Sequence, residues 1–178
     1  MNTVGIVFGC FIPWHAGHQS LFDKAYSENE EVVVAVCGYH GDRGENFIPF
    51  DDRLDLVKKK FRADPKVTIC QVDDKLCGCD GSFSIDNWRR WSLLLFKNVR
   101  LDPNDKDTIY TWYFGDQSYL EAFNVIWPDH KKSVADRKVL PISGTLIRND
   151  PKEHSAYIDP VFVAYLKEKH LLDTHTEK

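Results

Sequence analysis

The sequence predicts an α/β fold built on a doubly wound parallel sheet, and three observations carry that expectation. Apolar, β-branched runs alternate with helical patterns from end to end, as they do when each strand returns through a helix to a parallel neighbour. The run Glu31-Val32-Val33-Val34-Ala35-Val36-Cys37 is apolar at consecutive positions, which suits a strand covered on both faces. The loops richest in Gly, His, Asp and Arg all follow strands, where ligands of such sheets collect.

The first strand is Val4 to Phe8, and it empties through Gly9-Cys10-Phe11-Ile12-Pro13-Trp14 into a helix start at His15-Ala16-Gly17-His18. Glu31 to Cys37 is the second strand. Phe50 to Phe61 follows as an amphipathic helix, with Leu54, Val57 and Phe61 along one face and Asp51-Asp52 near its positive end. Val67 to Val72 is the third strand and Trp88 to Phe96 a further helix. Thr108 to Phe114 is the fourth strand, closed by Gly115-Asp116, after which Gln117 to Phe123 reads as helical. Lys138-Val139-Leu140 is expected as a short fifth strand, and Val161 to Leu171 as the closing helix. The loops Gly9 to His18, Gly38 to Pro49, Asp73 to Asp86 and Gly115-Asp116 should converge on one crevice.

Composition narrows the classes. A chain of 178 residues, 43% hydrophobic, can bury one substantial core, so a single domain over residues 1–178 is expected. A net charge of −4 and an isoelectric point near 6.0 oppose a nucleic-acid surface, and the longest basic run is Lys58-Lys59-Lys60. The apolar runs fall short of the roughly 18 residues that span a bilayer. Cys10, Cys37, Cys70, Cys77 and Cys79 make an odd set and the first residues do not read as a signal peptide, so the expected setting is cytoplasmic, with reduced thiols. No membrane partner is expected. A homo-oligomer is left open.

Two constellations carry chemistry. A strand that turns through glycine and proline into a helix leaves backbone N–H groups at a helix N-terminus, where anions bind; His15 and His18, three apart, share a face of its first turn. A capping pair or two metal ligands would use the same spacing. Far downstream, Ile142-Ser143-Gly144-Thr145-Leu146-Ile147-Arg148 gathers hydroxyls and a guanidinium at another helix start, with Ser143 as its N-cap. Such donors suit a polyphosphate.

Read together, Gly9-x-Phe11-x-Pro13-x-His15-x-Gly17-His18 and Ile142-Ser143-x-Thr145-x-x-Arg148 resemble the H-x-G-H and I-S-x-T-x-x-R signatures of the nucleotidyltransferase superfamily, whose sheet is Rossmann-like. Within it the chain is similar to nicotinamide mononucleotide adenylyltransferases of the NadR-like type, through Cys37 to Gly44, the Trp88-x-x-Trp91 pair and Ser143 to Pro151. The likeness covers roughly residues 3 to 170. No G-x-x-x-x-G-K-[ST] occurs, so the kinase activity of bifunctional relatives is not expected. Cys10 stands where some relatives carry a basic residue, which shifts the expected phosphate grip toward Arg43, Arg53 and Arg148.

The resemblance implies transfer of the adenylyl group of ATP to nicotinamide mononucleotide, giving NAD and pyrophosphate by direct in-line attack. His15, His18 and Arg148 would be catalytic. Gly9, Phe11, Gly17, Asp116, Ser143 and Thr145 would bind ATP. Trp88, Trp91, Arg43 and Arg53 would hold the mononucleotide. Mg²⁺ would arrive with ATP, without a protein metal site. Bland readings stand beside these: Trp88, Trp91 and Leu95 also form a core stripe, and Asp116 also suits a cap. Arg53 also reads as a solvated helix charge. The same chemistry on phosphopantetheine, a flavin mononucleotide or an alcohol phosphate, and a non-catalytic nucleotide-binding module, remain the alternatives.

Overall fold

The computed structural model describes residues 1–38, 47–73, 84–136 and 141–173. Five strands form one sheet among them: β1 (Asn2–Gly9), β2 (Glu31–Gly38), β3 (Val67–Asp73), β4 (Thr108–Phe114) and β5 (Lys131–Val134), in the order β3-β2-β1-β4-β5. Every adjacent pair is parallel. The chain winds outward from β1 to β3, then returns to the other side of β1 with β4. The loops leaving β1 and β4 therefore part in opposite directions, and this switch point opens a crevice at their carboxyl ends.

Alternation along the strands explains two apolar layers. Val4 and Ile6 of β1, Val33 and Ala35 of β2 and Tyr110, Trp112 and Phe114 of β4 are buried on one face, with Trp91, Leu95 and Phe96 of α3 (Ile85–Val99) and Phe123 of α4 (Leu120–Ile126). Val7, Val32, Val34, Val36 and Tyr113 face the other way, toward α1 (Ala16–Glu28), α2 (Phe50–Lys60) and α6 (Pro160–Glu168). Strands apolar at every position are thus buried twice, as the second run of the sequence foretold.

The differences from expectation lie at element ends and in the place of the last strand. α3 starts ahead of Trp88 because the Ser84 hydroxyl accepts from Asn87 N–H, capping it earlier. The segment after Asp116 begins as a 3-10 turn, Gln117–Tyr119, before α4. The strand after β4 is Lys131–Val134, a four-residue edge opening with two lysines, a composition that protects an edge from further pairing and hides it from an apolar pattern. Lys138-Val139-Leu140 lies outside the described residues. α6 ends at Glu168, where Lys169 caps it and His170 takes a left-handed φ of 56°.

Candidate active site

The turn after β1 is shaped by its own side chains. Phe11 adopts a left-handed φ of 53°, uncommon for a residue with a Cβ, and its ring folds back against Gly9, where an added Cβ would meet it at 3.0 Å. The Phe11 ring also packs at a tilt against Trp14, with centroids 4.5 Å apart, and lies edge to face with His18 at 4.9 Å. Phe11, expected among the ATP contacts, is 1% exposed. Its side chain shapes the turn from beneath, because an apolar ring of that size gains more from the core than from a phosphate.

His15 and His18 cap α1 reciprocally. His15 Nδ1 accepts from Gly17 N–H at 3.0 Å, and His18 Nδ1 accepts from His15 N–H at 3.3 Å. With both Nδ1 atoms engaged as acceptors, each neutral ring carries its proton on Nε2, and each Nε2–H is a donor directed away from the backbone. The rings stack at 3.8 Å. The reciprocal cap therefore engages the Nδ1 side of both rings. Gly17 makes it fit, since a Cβ there would lie 2.8 Å from His15 Cε1. No motif announces what braces the turn from outside: His15 bridges to Ile158, Asp159 N–H donates to the Trp14 carbonyl, and Lys60 pairs with Asp159 at 2.6 Å.

The second motif is joined to the first. Ser143 Oγ accepts from Leu146 N–H at 3.2 Å and caps α5 (Gly144–Asn149), leaving its O–H able to donate. Arg148 Nη1 donates to the Ile12 carbonyl at 2.9 Å, and Nη2 reaches Thr145 Oγ1 at 3.4 Å. Gly144 allows this crossing, because a Cβ there would meet Arg148 Nη1 at 2.8 Å and the Ile12 carbonyl at 3.2 Å. His15, Gly17, His18, Ser143, Thr145 and Arg148 thus share one neighbourhood. Beside it lies a cavity of about 320 Å³ lined by Pro141, Ile142, Glu153, His154 and Tyr157.

Across the switch point, Trp88 is half-buried and packs on Phe8, the residue before Gly9, at 6.0 Å, and on Tyr119 at 5.3 Å. It stands at the crevice end of β1. Trp91 is 3% exposed and lies behind it, 5.0 Å from Phe8. The i, i+3, i+7 stripe is therefore core from Trp91 onward, which removes Trp91 from the expected mononucleotide contacts. Asp116 caps the 3-10 turn, one carboxylate oxygen accepting from Ser118 N–H at 2.8 Å, and its partly exposed position beside Gly115 keeps it at the mouth.

Arg53 departs furthest from expectation. It is fully buried, and its guanidinium donates to the carbonyls of Cys10, Cys37 and Ile48 at 2.8, 3.0 and 3.1 Å. A side chain so enclosed is neither a solvated helix charge nor a mononucleotide contact. Arg43, Cys77 and Cys79 lie outside the described residues. Burial pushes the Cys70 thiol up to about 12, so it offers no thiolate at neutral pH. Among the described residues, no three His, Cys, Asp or Glu side chains gather as metal ligands, and no helix is long and apolar enough to cross a membrane.

The comparisons with known proteins agree with this geometry. The model of the cytidylyltransferase-like family matches residues 6–155. The trifunctional NAD biosynthesis/regulator protein NadR of Escherichia coli (strain K12) is 26% identical over 170 residues, 88% of this chain and 39% of its own length. A crystal structure of NadR protein in complex with NR matches with a TM-score of 0.74 and 28% identity, over 90% of this chain and 44% of that one. A NadR structure in complex with NAD and AMP-PNP gives a TM-score of 0.73, also at 28% identity, over 91% of this chain and 46% of that one. A bifunctional NMN adenylyltransferase/ADP ribose pyrophosphatase from Francisella tularensis, crystallised with AMP and a Mn ion, shares the fold at 16% identity and a TM-score of 0.65, over 97% of this chain and 52% of that one. The chain thus spans about two-fifths of its curated relative and about half or less of the solved ones. With a family model matching most of its length and both signature motifs joined at one crevice, the chain belongs to the cytidylyltransferase-like nucleotidyltransferases and is NadR-like within them.

Proposed function

We propose that this nucleotidyltransferase moves the adenylyl group of ATP to nicotinamide mononucleotide, forming NAD and releasing pyrophosphate. The observation that carries the reading is the Arg148 bond to the Ile12 carbonyl, which ties the Ser143 and Thr145 hydroxyls to the histidine turn so that one triphosphate can meet both. The ligands in the NadR structures, NR in one and NAD with AMP-PNP in another, support a pyridine nucleotide as acceptor.

Catalysis here is alignment and charge stabilisation, without a covalent enzyme intermediate. The Nε2–H groups of His15 and His18 donate to the α-phosphate as charge grows on it, with the α1 dipole adding a partial positive charge. Arg148, Ser143 and Thr145 hold the β and γ groups and the departing pyrophosphate. Asp116, partly exposed at the mouth of the crevice, accepts from a ribose hydroxyl of ATP. Trp88 offers a rigid face to the flat, electron-poor pyridine ring. Asp116, Ser143 and Thr145 could also reach waters of a triphosphate-bound Mg²⁺, which when present neutralises phosphate charge.

The test is an acceptor panel. Purified protein with ATP and Mg²⁺ is offered nicotinamide mononucleotide, nicotinic acid mononucleotide, phosphopantetheine and flavin mononucleotide, and pyrophosphate release is followed. Release should depend on a pyridine mononucleotide and stop with EDTA. Turnover confined to another phosphate acceptor would refute the assignment.

A further inference from the structure

Arg53 is a permanent charge with no exposed surface, and the three carbonyls it binds come from three separate segments. Cys10 lies between Gly9 and Phe11 in the histidine turn, Cys37 is the penultimate residue of β2, and Ile48 precedes the Pro49 cap of α2. These segments share one property: they lead from the carboxyl ends of neighbouring strands at the crevice. Enclosing a guanidinium costs several kcal/mol unless its protons are well matched; here Nε meets Ile48, and Nη1 is shared between Cys10 and Cys37. The Phe50 ring lies 5.1 Å from the guanidinium carbon. A rigid planar fork fixes directions as well as distances, which a lysine ammonium at the end of a flexible stem does not.

We propose that Arg53 is a positioning residue for phosphate transfer: from beneath, it locks the Cys10 end of the histidine turn to β2 and to the start of α2, and it touches no substrate. This rests on the proposed adenylyl transfer for its kinetic consequence and on the fold alone for its structural one. If Cys10 shifts, the backbone leading to His15 and His18 shifts with it, and their Nε2–H groups miss the α-phosphate.

The test compares wild type with Arg53→Lys, and with Phe96→Leu as a control destabilised on the opposite face of the sheet. Kinetics with ATP, Mg²⁺ and nicotinamide mononucleotide are run well below each melting temperature, beside amide hydrogen exchange without ligands. Arg53→Lys should lose roughly 10- to 100-fold in kcat, the scale of a small misalignment, while KM for ATP moves less than about 3-fold. Exchange should quicken in residues 10–18 and 36–38 and stay unchanged in β4. Phe96→Leu should keep kcat. An Arg53→Lys protein with normal kcat, or with exchange quickened evenly through the sheet, would overturn the proposal. Wild type that makes no NAD overturns the acceptor assignment instead, and the positioning role is then decided by whether exchange quickens locally.

Discussion

Replacing Gly144 by alanine should separate activity from stability. An added Cβ would sit 2.8 Å from Arg148 Nη1, inside the 3.4 Å at which ordinary contact begins, and 3.2 Å from the Ile12 carbonyl. The guanidinium is the far end of a flexible side chain, so it gives way before the backbone does. Its 2.9 Å bond to Ile12 is then lost, removing about 1.5–3 kcal/mol, the usual worth of a charged donor. Alanine returns up to about 1 kcal/mol through its better helix propensity. The net loss of about 0.5–3 kcal/mol corresponds to a melting temperature lower by roughly 1–12 °C, and the protein stays folded at 25 °C. Activity should fall much further, by on the order of 100-fold in kcat/KM, because the displaced Arg148 no longer spans the two motifs. Thermal denaturation and steady-state NAD formation on the same preparation measure both quantities. Near-normal kcat/KM in Gly144→Ala would refute the claim that the Arg148 crossing assembles the site.

Three further outcomes are expected. His18→Ala should lower kcat by roughly 100-fold or more, as loss of one well-placed donor to developing charge does, with circular dichroism unchanged. Trp88→Ala should weaken the apparent affinity for nicotinamide mononucleotide by about 1–3 kcal/mol, by analogy with base–aromatic stacking, and spare that for ATP; equal losses would mark the ring as core. His130 gives a pH signature remote from the site: Trp112 Nε1–H donates to its Nδ1, its Nε2 bonds the Pro103 carbonyl, and burial lowers its pKa from the usual 6.5. Because the unfolded chain takes up the proton first as pH falls, stability is full above about pH 6.5 and is lost as pH drops through the folded pKa. The melting temperature of wild type should therefore fall more steeply between pH 7 and 5 than that of His130→Asn, and parallel slopes would exclude the linkage.

Much of this was legible in the residues because local signals and tertiary demands coincided. Glu31 to Cys37 is apolar throughout since β2 is covered on both faces, and the Ser143 cap is visible because a hydroxyl ahead of a helix has a direct backbone partner. The misreadings share a cause. Arg53 and Trp91 carry side chains typical of binding sites, and only the packing of separate segments tells that one braces three carbonyls and the other backs an aromatic cluster. Phe11 belongs to a motif, yet a motif does not say whether its side chain or its backbone serves the ligand. The Ile158 and Asp159 brace left no trace, since a main-chain bridge needs no particular residue. β5 escaped because four residues starting with two lysines have the composition of a loop.

The most direct measurement is the fate of ATP labelled at its α-phosphorus when purified protein turns over with Mg²⁺ and nicotinamide mononucleotide. The expected result is label recovered in NAD, with one pyrophosphate released per NAD formed and no label transiently bound to protein. Label in ADP, or pyrophosphate release that does not require the mononucleotide, would contradict it.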